Sequence, residues 1–331
     1  GELMRPYSAS STVLRELVNA RGATEKQDTL LTWAARHGHV SIVALLLERG
    51  ADLHSTTGGH GASALHIACQ EGHVACVAHL VGARADVNLT RDNGGTPLHA
   101  SCLLGRVECV KLLLGAGAGV DEAKDTGSTP LYLACQEGHH ECVRLLVAAG
   151  ASVNKARDNR TSPLRVCCQN GHVDCAKALI VAGANVNQAG ESGGTPLHTA
   201  CQVRRALTCP PPPLPLSSPP PAALSRPSPP PPPSPQHGHV DILDLLLSAG
   251  ADVNQTKLSG LSAVFVACHA GHLNCVNRLI AAKADVHRAN HKGITPLFTA
   301  CRHGHEACAR AVLAEGASVD ARSNGGLTAM Q

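Results

Sequence analysis

A Gly-His pair returns along this chain at near-constant spacing: Gly38-His39, Gly72-His73, Gly138-His139, Gly171-His172, Gly238-His239, Gly271-His272 and Gly304-His305. Gly105-Arg106 fills the one missing beat. Neighbouring pairs stand 33 or 34 residues apart, except for a gap of 67 after Gly171. A period of this length constrains the fold more than any other feature. Each unit is too short to bury its own apolar face, so successive units must stack on one another.

Two further marks keep the same beat. Thr96-Pro97-Leu98-His99, Thr129-Pro130-Leu131-Tyr132, Thr195-Pro196-Leu197-His198 and Thr295-Pro296-Leu297-Phe298 precede the pair. Gly-Ala-Asp-Val-Asn at 250–254 follows it, with close variants at 150–154 and 183–187. Each mark has a mechanical meaning. Thr96 is placed to cap the orphan N–H groups of a helix, and Pro97 suits its first turn because it has no N–H to lose. About eight residues on, Gly105 supplies the left-handed conformation that ends a helix. The spacing then predicts a second helix over 107–114, with Val107, Val110 and Leu114 on one face and with Leu112, like Leu145 one repeat later, in the core. Gly150 stops the equivalent helix, and runs such as Asp92-Asn93-Gly94-Gly95 make a tight turn.

These residues resemble the ankyrin repeat family, whose repeat length and Thr-Pro-Leu-His mark they match over roughly Asp28 to Gly326, one insertion excepted. The resemblance implies an all-α solenoid of helix-turn-helix pairs with short β-turn or hairpin fingers. Departures are local: Thr29-Leu30-Leu31-Thr32, Ser63-Ala64-Leu65-His66, Ser162-Pro163-Leu164-Arg165 and Ser262-Ala263-Val264-Phe265 replace the mark in four repeats and bring their turns into question. The expected organisation is a partial repeat over 1–27, repeats over 28–202 and 237–324 with the sixth interrupted, and the start of a ninth over 325–331. Both ends are expected to be cuts from a longer array, since neither shows a polar capping repeat.

Fifteen cysteines are placed by the same period. Cys69, Cys102, Cys135, Cys168, Cys201, Cys268 and Cys301 form one column, and Cys76, Cys109, Cys142, Cys175, Cys275 and Cys308 a second. Only Cys167 and Cys209 lie outside them. Equivalent residues of stacked repeats sit a helix-packing distance apart, roughly 8–10 Å. A disulfide needs Cα atoms within about 7 Å, and zinc holds its ligands at about 2.3 Å. No single column can form either, so reduced thiols and an intracellular location, cytoplasmic or nuclear, are expected. Ten of the twenty histidines are repeat marks as well. The triplets 37–39, 237–239 and 303–305 could hold a surface metal weakly, but histidines bonded to the neighbouring repeat are the expected role.

Other functional classes lack their signals. The formal charge is +3 with no basic run or basic-aromatic stripe, which excludes the electrostatic footprint of nucleic-acid binding. Apolar stretches such as Ile42–Leu47 are far short of a membrane span, and no charged-then-apolar leader opens the chain. No phosphate loop, His-Glu-x-x-His or Gly-x-Ser-x-Gly is present, so neither catalysis nor a cofactor or small-molecule substrate is expected.

What varies between repeats is surface. The resemblance implies that a partner protein meets the turn tips and the exposed side of the first helices, on the concave face. At the tips these positions are Asp92, Asn93, Asp125, Thr126, Asp158, Asn159, Arg160, Glu191, Ser192, His291 and Lys292. On the helix side they are Gln70, Glu71, Leu103, Leu104, Gln136, Glu137, Gln169, Asn170, Arg302 and His303. The first expectation is a protein-interaction scaffold. The alternative is the recognition or docking part of a larger ubiquitin-ligase adaptor, kinase or channel. The resemblance also implies that Asn88, Asn187 and Asn254 match a pattern hydroxylated in some members.

The gap of 67 holds an insertion, Val203–Gln236, rich in proline and serine. Deleting its 34 residues restores the period and joins Thr195–Gln202 to His237-Gly238-His239-Val240 as an unblemished repeat. Gln202-Val203-Arg204 can be encoded by CAG-GTG-AGG, which contains a splice-donor consensus. The Pro/Ser/Leu-rich tail is what a translated pyrimidine tract looks like. The segment therefore reads as a translated intron with no fold of its own. The rival is a proline-rich loop for SH3-type partners, for which Arg226, Pro229 and Pro232 have the spacing.

Overall fold

The computed structural model of the 331-residue chain describes Asn19, residues 28–202 and residues 240–328. The expected partial repeat over 1–27 (Asn19 apart), the insertion at 203–236, and the Gly238-His239 pair lie outside the described residues. Among the described residues there are sixteen α-helices and no strand longer than an isolated bridge.

Contacts divide the chain into two compact units, Gly1–Asn185 and Val186–Gln331. Unit 1 contains α1 (Leu30–Arg36), α2 (Val40–Glu48), α3 (Ala64–Glu71), α4 (Val74–Gly82), α5 (Pro97–Leu103), α6 (Val107–Gly115), α7 (Pro130–Glu137), α8 (His140–Ala148), α9 (Pro163–Asn170) and α10 (Val173–Val181). Unit 2 contains α11 (Pro196–Gln202), α12 (Val240–Ser248), α13 (Ala263–Ala270), α14 (Leu273–Ala281), α15 (Pro296–Arg302) and α16 (Glu306–Ala314). Within each unit first helices pack on the first helices of the adjacent repeats, and second helices on second helices.

The first helices begin where the sequence says they should. Proline opens α5, α7, α9 and α15, and Thr129 Oγ1 accepts a hydrogen bond from the Tyr132 N–H at 3.1 Å. The four departing marks keep this geometry. Thr29, Ser63, Ser162 and Ser262 each cap their helix through the side-chain oxygen, because any short hydroxyl side chain can do so.

The core differs from expectation in one respect. In α6 the fully buried residues are Cys109, Val110 and Leu113, while Val107, Leu112 and Leu114 are half-buried. In α8 Leu146 is fully buried and Leu145 is not. The buried stripe is therefore rotated by about one residue from the expected one. It follows Cys, Val and Leu at i, i+1 and i+4, because a second helix is covered by its own first helix and by both neighbouring second helices.

Histidines bind each repeat to the next. His66 Nδ1 accepts from the Ser63 N–H at 3.3 Å, and His66 Nε2 lies 3.0 Å from the carbonyl oxygen of Gly95 in the following repeat. His99 reaches the Ser128 carbonyl and, in unit 2, His198 the Leu261 carbonyl, both at 3.0 Å. The Gly-His histidines reach backwards: His73 to the Arg36 carbonyl at 3.1 Å, His139 to Leu103 at 3.1 Å, His172 to Gln136 at 3.0 Å. A third tie uses the Asn of the Asp-Val-Asn mark. Asn88 Oδ1 accepts from the Gly119 N–H at 2.7 Å, and Asn254 Oδ1 from the Asp285 N–H at 2.8 Å.

Candidate binding face

From Arg91 onward each described finger is a closed turn built on the same two backbone bonds, while the finger before it closes from the Thr57 N–H to the Ala62 carbonyl. In repeat three the Arg91 N–H donates to the Gly95 carbonyl and the Gly94 N–H to the Arg91 carbonyl, both at 2.9 Å. Lys124 and Ser128, Arg157 and Thr161, Lys257 and Leu261, and Asn290 and Ile294 repeat the first bond. Within unit 1 fingers also touch: the Asp125 N–H donates to the Asn93 carbonyl at 3.2 Å. The backbone is thus spent on the finger row, leaving side chains to face solvent.

All eleven tip residues expected from sequence are exposed: Asp92, Asn93, Asp125, Thr126, Asp158, Asn159, Arg160, Glu191, Ser192, His291 and Lys292. On the helix side Leu104, Glu137, Gln169, Asn170, Arg302 and His303 are exposed, while Gln70, Glu71, Leu103 and Gln136 are half-buried at helix C-terminal ends. The structure brings five of these together in unit 1. Gln136, Glu137, Asn159, Gln169 and Asn170 line a cleft of about 430 Å³, with Tyr132, Arg157, Thr161 and Val166.

Arg157 and Tyr132 were not evident from sequence variation. The Arg157 guanidinium lies 5.1 Å from the Tyr132 ring centroid, a cation–π distance. Arg157 opens its finger, as Lys124 and Arg91 open the two before it, so a column of cations at intervals of 33 residues runs down unit 1. That column is visible in the sequence once the finger's first position, rather than its tip, is compared between repeats. Arg91 Nη2 donates to Gln70 Oε1 at 3.1 Å. Burial lowers the proton affinity of Arg91 and of Lys124, and a neighbouring cation lowers each further, Arg36 for the first and Arg91 for the second.

The cysteines correct the column argument. No described cysteine forms a disulfide, and all but Cys301 are buried. Thiols nevertheless meet between columns: Cys69 of α3 lies against Cys109 of α6 and Cys201 of α11 against Cys275 of α14, while Cys167, outside both columns, meets Cys175 within its own repeat. Cys69–Cys109 and Cys201–Cys275 each join a first helix to the second helix of the following repeat, a contact that comparing like with like along one column overlooks. Burial pushes the Cys69 and Cys102 thiols up, and Cys142 up to about 11, so these behave as small apolar side chains. Among the described residues no group of three or more His, Cys, Asp or Glu is arranged to hold a metal ion. The His303 and His305 rings stack at 6.2 Å instead of converging; His37 and His39 do so at 6.0 Å. The triplet at 237–239 lies outside the described residues. No helix among them is long and apolar enough to cross a membrane.

Comparison with known proteins agrees with the geometry. The family model described as ankyrin repeats (three copies) matches residues 7–91, 65–157, 150–209 and 235–323. The human ankyrin repeat domain-containing protein 29 is 41% identical over 59 residues, 18% of this chain and 20% of that protein. Its Danio rerio counterpart is 38% identical over 60 residues, with the same shares. The chain thus spans about a fifth of the length of these curated relatives. Among solved structures, the crystal structure of the human ASB11 ankyrin repeat domain superposes with a TM-score of 0.61 at 27% identity, covering 78% of this chain and 99% of that one.

Proposed function

The chain belongs to the ankyrin repeat family, and from that premise we propose that it is a scaffold binding a partner protein along its fingers and first helices, the concave face of such arrays. Ankyrin repeats in general are protein-interaction modules and not enzymes, and their chemistry is that of surface complementarity. One observation carries the reading: finger backbones repeat the same bonds while outward side chains differ among repeats, with Asn93, Thr126, Ser192 and Lys292 at one equivalent position. A surface that is rigid in shape and variable in chemistry is what selective docking needs.

The face is poor in aromatic anchors, so recognition rests on polar groups and charge, with contacts spread over several repeats. Buried reduced thiols fit work inside the cell. The experiment is site-specific photocrosslinking in cells. A photoreactive residue at Asn93, Asn159 or Lys292 is expected to capture a protein that one at Lys111, Arg144 or Arg310, on second helices, does not. Equal capture from both sets would reject the face.

The interrupted sixth repeat fits the same scheme. His198 and Leu261 are 63 residues apart, whereas His66 and Gly95, or His99 and Ser128, are 29 apart. The difference is the 34 residues of Val203–Gln236, which supports reading that segment as an insertion foreign to the array, a translated intron.

A further inference from the structure

Three cations of unit 1 are held without a counter-charge. Among the described residues, the Arg and Lys ion pairs include Arg36–Asp28, Lys111–Glu108, Arg144–Glu141, Arg278–Asp244 and Arg310–Glu306. Arg91, Lys124 and Arg157 are in none of them, although each is half-buried in the groove between fingers and first helices. Arg91 Nε and Arg157 Nε are buried with no hydrogen-bond partner. A buried N–H without an acceptor is costly, and a row of cations that repel one another adds to that cost. The repulsion is relieved by an anion entering the groove.

The carboxylates close by do not fill that role. Asp125 and Asp158 follow Lys124 and Arg157 in sequence, but pack on the preceding finger. Asp125 Oδ1 lies 2.9 Å from where a Cβ on Gly94 would stand, and Asp158 crowds Gly127 in the same way. Glu71 and Glu137 accept from the side-chain amides of Gln70 and Gln136, at 3.1 and 2.8 Å.

We propose that this groove takes an extended acidic segment of a partner protein, whose carboxylates meet Arg91, Lys124 and Arg157 in turn. The proposal rests on the scaffold reading above and names the chemistry of the partner. Equivalent points on stacked repeats are roughly 8–10 Å apart, and an extended polyproline II chain rises about 3.1 Å per residue with three residues per turn, which returns every third side chain to one face after about 9 Å. An acidic residue at every third position therefore keeps step with the cations. Arginine offers a carboxylate two parallel donors, where lysine offers a point charge. The cleft beside Tyr132 and Arg157 admits a side chain next to the last of these contacts. Three cations, and one aromatic face already covered by Arg157, make a short acidic peptide a better fit than a nucleic acid, which needs a longer basic track and open stacking faces.

The test is fluorescence anisotropy of the full chain with labelled peptides carrying Glu, Gln or Lys at every third position, and with an oligothymidylate of similar length. The Glu peptide is expected to bind, and roughly tenfold or more tighter than the Gln peptide, as charged hydrogen bonds exceed neutral ones. The Arg91→Gln, Lys124→Gln, Arg157→Gln triple variant should lose that preference with unchanged far-UV circular dichroism. Lys124→Glu alone, at a side chain in no ion pair, should weaken the Glu peptide and favour the Lys peptide, which keeps the test sound if the triple variant fails to fold. Equal binding of Glu and Gln peptides, wild-type affinity in Lys124→Glu, or tighter binding of the oligothymidylate overturns the proposal. Capture from Asn93 and Asn159 that persists in Lys124→Glu, with no binding of the Glu peptide, overturns the acidic partner and leaves the docking face standing.

Discussion

His66 accepts from the Ser63 N–H through Nδ1 and so carries its proton on Nε2, which donates to the Gly95 carbonyl of the next repeat at 3.0 Å. The ring is fully buried, and burial lowers its pKa to about 4; the equivalent His99 behaves alike. A folded pKa below the unfolded 6.5 means the unfolded chain binds more protons between those values. Stability is therefore fully present above pH 6.5 and falls as pH drops towards 4, by up to about 3 kcal/mol for each histidine. Urea unfolding at pH 7 and pH 4.5 should show this loss, and His66→Gln with His99→Gln should flatten the profile. An equally steep profile in the double variant would contradict the assignment.

Leucine truncations should separate the buried stripe from its flank. Leu113→Ala and Leu146→Ala remove fully buried side chains and should each cost roughly 2–5 kcal/mol. Leu112→Ala and Leu145→Ala, at half-buried positions, should cost less than their neighbours. Denaturant midpoints of the four variants decide the ordering.

Arg160 holds φ at 56° where Gly94 and Gly127 occupy the same place in the preceding fingers. A side chain in the left-handed region is strained, so Arg160→Gly should stabilise the protein by about 0.5–1 kcal/mol. A fall in melting temperature would show that the Arg160 side chain makes a compensating contact.

Thiol labelling should be ordered by exposure. Cys301 is exposed while the other described cysteines are buried, so brief alkylation of the native chain should modify Cys301 well before Cys69, Cys102 or Cys142. Mass spectrometry of the peptides reads the order, and early modification of Cys102 would mean the first-helix core opens readily.

Mature messenger RNA should lack the codons for Pro210–Pro235. Transcript sequencing that finds them in most molecules would remove the intron reading and restore the proline-rich loop as the alternative.

The fold was largely legible because its marks are local and mechanical: a hydroxyl before Pro97 or Pro130, a glycine about eight residues later, and a fixed return. The exposed tips were legible for the same reason, since a closed turn has only one outward side. Less visible was everything that depends on one repeat meeting the next at an offset. The rotated stripe of Leu113 and Leu146 comes from cover by the neighbouring second helices, and the contact of Cys69 with Cys109 joins a first helix to the second helix of the following repeat. The cations Arg91, Lys124 and Arg157 were missed because sequence variation draws the eye to tips, whereas these three vary little and sit one residue before them.

The bonds from His66, His99 and His198 end on main-chain oxygens, and so do those from His73, His139 and His172. A carbonyl is the same whatever residue carries it. Each repeat therefore recognises its neighbour without reading it, and any unit of the right length is an acceptable neighbour for any other. Duplication, loss or exchange of whole units leaves these junctions chemically unchanged, so a gene of this kind can lengthen, shorten or shuffle its array by recombination while every join remains valid. Selection on the outward side chains is then free of the bonds that hold the array together.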